Sequence, residues 1–461
     1  MGYGDDILVK LLGLNNKEVK YKVQRGEVTI AVYGLGHVGL PLASVFAERG
    51  AMVIGVDIDD EKVKLLNEGN NYIIEEPGLS ELVRKNVKEG RLTATTNGVE
   101  AAMKADVMII TVPVLADRNG YVDLRNLTNA VQIIGEGLKK GDIVIIETTL
   151  PPGTTENMIS LLMEKSGLKI GEFGVAHAPE RMSTGTAIRD ITRAYPKIVG
   201  ASDNKTLEAV VGLYETINEK GVIPVSSIKV AEAVKVFEGI YRDVNIALAN
   251  ELALWAEENG LDVWEIIKAA NSQPYCHIHR PGVGVGGHCI PVYPWFIINT
   301  ARRRKPLLTY YARILNDSMP YHIIELLIEA FNIVGKPIKE SNILVMGLTF
   351  RGGVKSFINT PADIVIRELR KLDTNVYVYD PLCVEEDARK FNAKWKSDFK
   401  DVDAIVIITD HKEFLKLDLE KISKEVRTRI IVDGRGIVDP DEARKYGFVY
   451  VGVGRTIAGI K

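Results

Sequence analysis

Residues Val28 to Tyr33 form an apolar, β-rich run that feeds directly into Gly34-Leu35-Gly36-His37-Val38-Gly39 and then into a helical stretch ending near Arg49. Strand, glycine turn and helix in that order commit this part of the chain to the opening of a parallel, doubly wound sheet. A second apolar run, Met52 to Val56, ends on Asp57, about 20 residues past the glycines, where a ribose hydroxyl sits in such a unit. The glycines have separate duties. Gly34 permits the tight turn, Gly36 clears room for a pyrophosphate, and Gly39 lets helix and strand pack closely, with His37 and Val38 between them. The helix N-terminus faces the phosphates. Asp57 accepts bonds from a 2′-hydroxyl and repels a 2′-phosphate, so the expected cofactor is NAD and not NADP. Lys62 lies over the adenosine side or is simply solvated.

The pattern continues. Val107 to Val112 reads as a strand ending at Pro113, and Ile143 to Thr148 runs into Thr149-Leu-Pro-Pro-Gly-Thr-Thr155. The C-terminal ends of such strands line the ligand crevice, which puts the Thr111, Thr148 and Thr149 hydroxyls within reach of cofactor or substrate. Each is otherwise a turn or cap residue. Gly174 to Ala178 leads to Pro179-Glu180-Arg181, where Glu180 is either a base at a strand end or a solvated carboxylate. From Val225 to about Gly260 the spacing predicts one long helix, with Lys235, Gly239, Arg242 and Ile246 on one side. Lysine and arginine in an apolar helix suggest an inward cationic stripe, although charged faces usually meet water. The flank Ile246, Ala249, Leu252 suits a partner helix from a second subunit or a contact within one chain.

Beyond residue 330 a fresh α/β pattern begins. Asn342 to Gly347, Asn375 to Tyr379, Ala404 to Thr409 and Ile430 to Asp433 read as strands. This smaller Rossmann-like domain lacks a full GxGxxG and is expected to bind something other than a dinucleotide, with Arg351 and Arg435 available to phosphate by bidentate bonds.

A chain of 461 residues with 46% hydrophobic content suits two or three domains. A net charge of -3 argues against a surface built for nucleic acid. No N-terminal apolar run is long enough for a signal or a span, so no membrane partner is expected and the chain reads as cytoplasmic. Cysteines at 276, 289 and 383 make neither an even disulfide framework nor a zinc pattern, and no metal is expected. Cys289 stands apart, because Pro281-Gly-Val-Gly-Val-Gly-Gly-His288-Cys289 brings glycines at 282, 284, 286 and 287 up to it. Glycines let backbone approach a ligand, and a thiolate can hold a carbonyl carbon. Cys289 is either a covalent nucleophile or a small buried hydrophobe in a glycine turn.

Taken together, GLGHVGLP at 34–41, EEPGL at 75–79, ETTLPPGTT at 147–155, APER at 178–181, GVGGHCIP at 284–291, ARILNDSMP at 312–320, GLTFRGG at 347–353 and VDGRG at 432–436 resemble the UDP-glucose/GDP-mannose dehydrogenase family, in order, from about residue 28 to the C-terminus. The resemblance implies two Rossmann-like doubly wound domains joined by a central helical domain with a long helix. The expected bounds are an extension at 1–27, the NAD domain at 28–222, the helical domain with the cysteine segment at 223–330 and a UDP-binding domain at 331–461. It also implies NAD-dependent oxidation of a sugar primary alcohol at C6 to a carboxylate, through a thiohemiacetal and a thioester on Cys289. Lys235 then stabilises negative charge on the substrate oxygen, Glu180 serves as acid or base, and Thr149 positions water. Arg181, Met182, Arg242, Asn245, Gly284, Arg351 and Arg435 fall where the family holds its substrate. GGHCIP, Arg242-Asp-Val-Asn-Ile-Ala247 and Ala249-Asn-Glu251 resemble the branch acting on UDP-N-acetylhexosamines. UDP-N-acetylmannosamine is the first expectation, UDP-N-acetylglucosamine the second and UDP-glucose the third. A homodimer or larger homo-oligomer through the central helix is expected.

Three departures from the family pattern stand out. Gly239 occupies a position that is often asparagine, and Tyr293 one that is often aspartate. Ile358-Asn-Thr-Pro361 replaces a segment whose arginine helps hold cofactor, so Lys355 substitutes or that contact is lost. Two rival readings follow from the residues: a two-electron β-hydroxyacid dehydrogenase, which needs neither Cys289 nor the C-terminal domain, and an NAD-binding regulator without chemistry.

Overall fold

The computed structural model describes residues 11–117 and 119–455. They fall into two compact units, one made of residues up to 117 with 121–237, the other of residues from 238 onward with 119–120.

In the first unit the strands are β1 (Thr29–Tyr33), β2 (Met52–Val56), β3 (Leu92–Thr95), β4 (Val107–Ile110), a short antiparallel pair β5 (Leu115–Ala116) and β6 (Val122–Asp123), then β7 (Ile143–Ile146), β8 (Gly174–His177), β9 (Lys197–Ala201) and β10 (Val222–Pro224). The main sheet has the order β10-β9-β8-β7-β4-β1-β2-β3. Its central strands β4 and β7 are apolar and buried at every position, and β1 at every position after Thr29, because both faces are covered. Along β1, Ile30 and Val32 enter one core with Leu40 and Phe46 of helix Gly39–Glu48, while Ala31 and Tyr33 enter the other with Leu127 and Val131 of helix Arg125–Gly137. The sheet is parallel from β3 to β8, where β9 reverses and runs antiparallel to β8, and β10 follows β9 in parallel. Strands β3, β9 and β10 are not anticipated by the sequence pattern, since short segments such as Leu92-Thr-Ala-Thr95 carry too few apolar residues to stand out.

Ahead of β1, helix Asn16–Gln24 is started by a capping box between Asn15 and Glu18 and buries Val19 and Val23. It lies close against helix Asn204–Glu215, where a Cβ on Gly212 would meet the Asn16 carbonyl oxygen at 2.5 Å. The extension expected at 1–27 is therefore helical over Asn16–Gln24 and docked there. Residues 1–10 lie outside the described residues.

The expected long helix is present as Ile228–Glu258. Of the two uses open to its flank, a contact within the chain is the one observed: Ala249 is fully buried in its own unit's core and Leu252 packs against that core, whereas Tyr241, Leu248 and Trp255, seven residues apart, are about half exposed at 56%, 45% and 55%. The cationic stripe is corrected. Lys235 is half-buried, but Arg242 is exposed, because a long guanidinium side chain can reach water from a helix face that is otherwise covered.

The second unit contains helix Leu307–Ile333, which carries the ARILNDSMP segment and runs through Pro320. Its sheet comprises β11 (Asn342–Met346), β12 (Asn375–Tyr379), β13 (Lys394–Trp395), β14 (Ala404–Ile407), β15 (Ile430–Asp433) and β16 (Val449–Gly452), in the order β13-β12-β11-β14-β15-β16 and parallel throughout. One face of β11, Ile343 and Val345, packs with Ile323, Leu327 and Phe331. The other, Leu344 and Met346, packs with Phe414, Ile422 and Tyr450.

Candidate active site

The glycine turn after β1 has the geometry its sequence demands. Gly34 adopts φ +94, the left-handed region open to glycine, and its N–H donates to the Val56 carbonyl at 2.7 Å. A Cβ on Gly39 would overlap the Gly34 carbonyl oxygen. A Cβ on Gly36, by contrast, would meet nothing within 4 Å. The turn thus leaves the space a pyrophosphate needs, in front of a helix that has no side-chain cap at Val38. Asp57 accepts from the N–H groups of Leu35 at 2.8 Å and Asp59 at 3.1 Å, and Lys62 Nζ stands 3.8 Å from it. The Thr111 hydroxyl donates to the carbonyls of Tyr33 and Gly34, and that of Thr148 to Val112, so both threonines brace the crevice and offer a ligand only lone pairs. His37 is exposed, with Glu75 3.9 Å away. An open cradle, a strand-end acid and an uncapped helix start fit a dinucleotide.

Where β8 gives way to Pro179 and Glu180, a second cluster forms. Glu180 is half-buried. Burial pushes its carboxyl up to about 7, against the opposing pull of Lys235, the Met182 N–H that it accepts, and Lys197. Beneath it lies buried Glu147, which binds Lys197 Nζ at 2.9 Å and accepts from the Tyr214 hydroxyl; the Glu147 carbonyl takes the Glu180 N–H at 3.2 Å. Arg181 lies over the Tyr195 ring at 4.7 Å and donates to the Pro196 carbonyl. The EEPGL segment supports the same region, because buried Glu76 accepts the N–H groups of Gly185 and Ala187 and so pins the loop that follows Met182. Thr149 sits half-buried in the loop before helix Thr154–Ser166, whose first turn is capped by Glu232 through Thr155 N–H at 2.8 Å.

In the second unit Cys289 is half-buried and His288 exposed, and no disulfide joins any of the three cysteines. The Cys289 carbonyl accepts the N–H groups of Val292 at 3.1 Å and Tyr293 at 2.9 Å. The glycine approach is close-packed. A Cβ on Gly284 would stand 2.9 Å from the Asn316 carbonyl, which lacks its usual helical donor because Pro320 has no N–H. A Cβ on Gly282 would stand 3.1 Å from Arg435 Nη1. The Gly282 N–H donates to Asn250 at 2.8 Å, Asn250 to Asn316 at 2.9 Å, and Asn316 to Asp243 at 2.8 Å, with fully buried Arg313 also bound to Asp243. Burial raises the Asp243 carboxyl to about 6 despite Arg313. Asn245 has both ends of its amide engaged by the backbone of His277 and His279, and Arg242 lies close enough to His279 to help burial lower its ring.

At the ends of the second sheet's strands, Arg435 Nε donates to the Ile408 carbonyl at 2.6 Å. Arg351 is exposed, near the Phe350 ring. Lys355 is paired with Asp387 at 2.8 Å.

Comparison with known proteins supplies the lineage. Residues 28–218 match the NAD binding domain of the UDP-glucose/GDP-mannose dehydrogenase family, 229–317 its central domain and 344–440 its UDP binding domain. The chain belongs to that family. It is an NAD-dependent nucleotide-sugar dehydrogenase. Among its relatives, the UDP-N-acetyl-D-mannosamine dehydrogenase of Pyrococcus horikoshii is 38% identical over 92% of this chain and 99% of its own length. The solved structure of the UDP-D-ManNAc dehydrogenase from that organism superposes with a TM-score of 0.84 at 37% identity, covering 93% of this chain and 99% of the other. The NDP-N-acetyl-D-galactosaminuronic acid dehydrogenase of Methanosarcina mazei also gives 0.84, at 29% identity over 96% and 98% of the two chains.

Within this dehydrogenase, Lys197 and Tyr214 go unmarked in the sequence. Glu147 and the Asp243–Arg313–Asn316–Asn250 string lie inside quoted motifs, at the head of ETTLPPGTT and in RDVNIA, ARILNDSMP and Ala249-Asn-Glu251, but their pairing joins residues far apart in the chain. Among the described residues no helix is long and apolar enough to cross a membrane.

Proposed function

We propose that this dehydrogenase oxidises C6 of UDP-N-acetyl-D-mannosamine to the carboxylate, giving UDP-N-acetyl-D-mannosaminuronate. The observation that carries the sugar is the near full-length similarity to a relative of that name. Gly34, Gly36, Gly39 and Asp57 would hold NAD, two molecules of which in succession would supply the hydride acceptor for the two oxidations. Glu180, with its carboxyl at about 7, takes the alcohol proton, and Lys235 stabilises the alkoxide. The Cys289 thiolate adds to the aldehyde carbon to form a thiohemiacetal, which the second oxidation turns into a thioester. Water positioned by Thr149 adds to the acyl carbon and the thiolate leaves. Arg351 and Arg435 hold the diphosphate. The test is the yield of NADH per sugar nucleotide, with UDP-N-acetylmannosamine, UDP-N-acetylglucosamine, a UDP-N-acetylgalactosamine control and UDP-glucose offered separately. About two NADH from the first alone, lost in Cys289→Ser, is the expected result. One NADH per sugar, or turnover of a different sugar, overturns it.

The protein also forms a homo-oligomer in this reading. Exposed Tyr241, Leu248 and Trp255, with exposed Tyr311, Ile314 and Tyr321 on helix Leu307–Ile333, support burial against a second copy. Light scattering of Leu248→Asp tests this. A monomer is expected where the unmodified chain gives a larger species.

A further inference from the structure

Gly239 and Tyr293, two separate departures in the sequence, are one feature of the second unit. Gly239 lies well inside helix Ile228–Glu258, where glycine is among the poorest helix formers, so its presence calls for a neighbour that needs the space. A Cβ at Gly239 would stand 2.6 Å from Tyr293 Cδ2 and 3.4 Å from its Cβ and Cγ. The Tyr293 ring fills the notch, is 7% exposed, and leans on Phe296 at a centroid distance of 5.6 Å. Tyr293 is also the first residue of helix Tyr293–Thr300, and its N–H donates to the Cys289 carbonyl at 2.9 Å, beside that of Val292 at 3.1 Å.

We propose that the Gly239–Tyr293 contact is the positioning device for Cys289: the ring seated in the helix notch fixes the residue whose backbone holds the cysteine. Tyr293 acts here through its shape. Its effect on turnover rests on the reading of Cys289 as nucleophile; its effect on the placement of the thiol does not.

The experiment measures the alkylation rate of each cysteine by peptide mass spectrometry, with Cys276 and Cys383 as internal references, alongside turnover. Gly239→Ala is expected to slow turnover about 100-fold, as a misplacement of about an ångström does. It is also expected to change the Cys289 alkylation rate at least about threefold, with Cys276 unaltered. Tyr293→Phe keeps the ring and is expected to stay within about twofold of the unmodified protein on both readouts. Gly239→Ala combined with Tyr293→Val is expected to be no slower than Tyr293→Val alone, because a contact can be lost only once. An unchanged Cys289 rate in Gly239→Ala, losses that multiply in the double variant, or a Tyr293→Phe as slow as Gly239→Ala would each overturn the proposal. If Cys289→Ser keeps full NADH yield while the alkylation pattern holds, it is the nucleophile reading that fails and the positioning that stands.

Discussion

The chain builds the same strand–turn–strand start twice and finishes it in opposite ways. After β1, Gly34 has φ +94 and donates to Val56 at 2.7 Å; after β11, Gly347 has φ +103 and donates to Tyr379 at 2.8 Å. Leu35 N–H binds Asp57 at 2.8 Å, and Leu348 N–H binds Asp380 at 2.8 Å. The third residue separates them. Gly36 leaves open space, whereas Thr349 stands in the equivalent place with its hydroxyl 3.1 Å from Asp380 and 3.0 Å from His411 Nε2. His411 closes on Asp380 at 3.0 Å, and Asp380, Thr349 and His411 are all buried. In one fold start the acid stands beside a turn with open space at Gly36, and in the other it is bound by a threonine and a histidine. A Rossmann-like sheet is therefore not a dinucleotide site by topology alone.

The strongest way to break this contrast is Gly36→Val. A Cβ at this position meets no protein atom within 4 Å, so thermal stability should hold while NAD affinity in calorimetry falls about 1,000-fold, near 4 kcal/mol. Unaltered NAD binding would mean that the open space is not the cofactor's. Next comes Asp380→Asn, expected to cost about 3 kcal/mol in urea unfolding with NAD affinity unchanged. Burial by itself would raise the Asp380 carboxyl, but His411 and the N–H groups of Leu348, Leu382 and Thr349 hold it well below the usual range. A depressed folded value gives stability that is present above the unfolded value near 4 and is lost as pH falls below it. Asp380→Asn should flatten that acid limb.

Asp57→Asn should weaken NAD by about 2 kcal/mol, roughly 30-fold, and narrow the preference over NADP, read from the two dissociation constants. The smallest effect is at Glu180. Its folded value near 7 lies above the unfolded value of 4.5, so its contribution is full below 4.5 and declines as pH rises to 7. Glu180→Gln should be more stable by about 1 kcal/mol at pH 8, with no gain at pH 4, after discounting for its partial exposure. The two acids thus predict stability limbs of opposite sign.

Much of this was legible in the sequence because it is local. Val28 to Tyr33, Gly34 to Gly39 and Asp57 declare strand, turn and acid within one short stretch, and the long helix declares itself by uninterrupted periodicity. The reversal at β9 was not legible, since periodicity reports which faces are buried and is silent on strand direction. Nor was the setting of Glu180: the ionisation of a carboxylate depends on Lys197, Glu147 and Lys235, which only the fold brings near. Gly239 and Tyr293 were visible as oddities, but a notch and the ring that fills it become one feature only when helix and loop are packed. Arg242 shows a different limit: spacing rightly put it on the long helix and suggested an inward cationic stripe, while the structure leaves its side chain exposed.

The docked helix at Asn16–Gln24 has a consequence for biosynthesis. Its resting surface, helix Asn204–Glu215, is made nearly two hundred residues later, so a segment synthesised before β1 is among the last of this unit to find its place. Such a pairing carries a high contact order and its loop closes late. Until residue 215 has emerged, Val19 and Val23 lack the helix on which their own helix rests, and the nascent first unit presents an unfinished apolar seam to chaperones and to neighbouring chains.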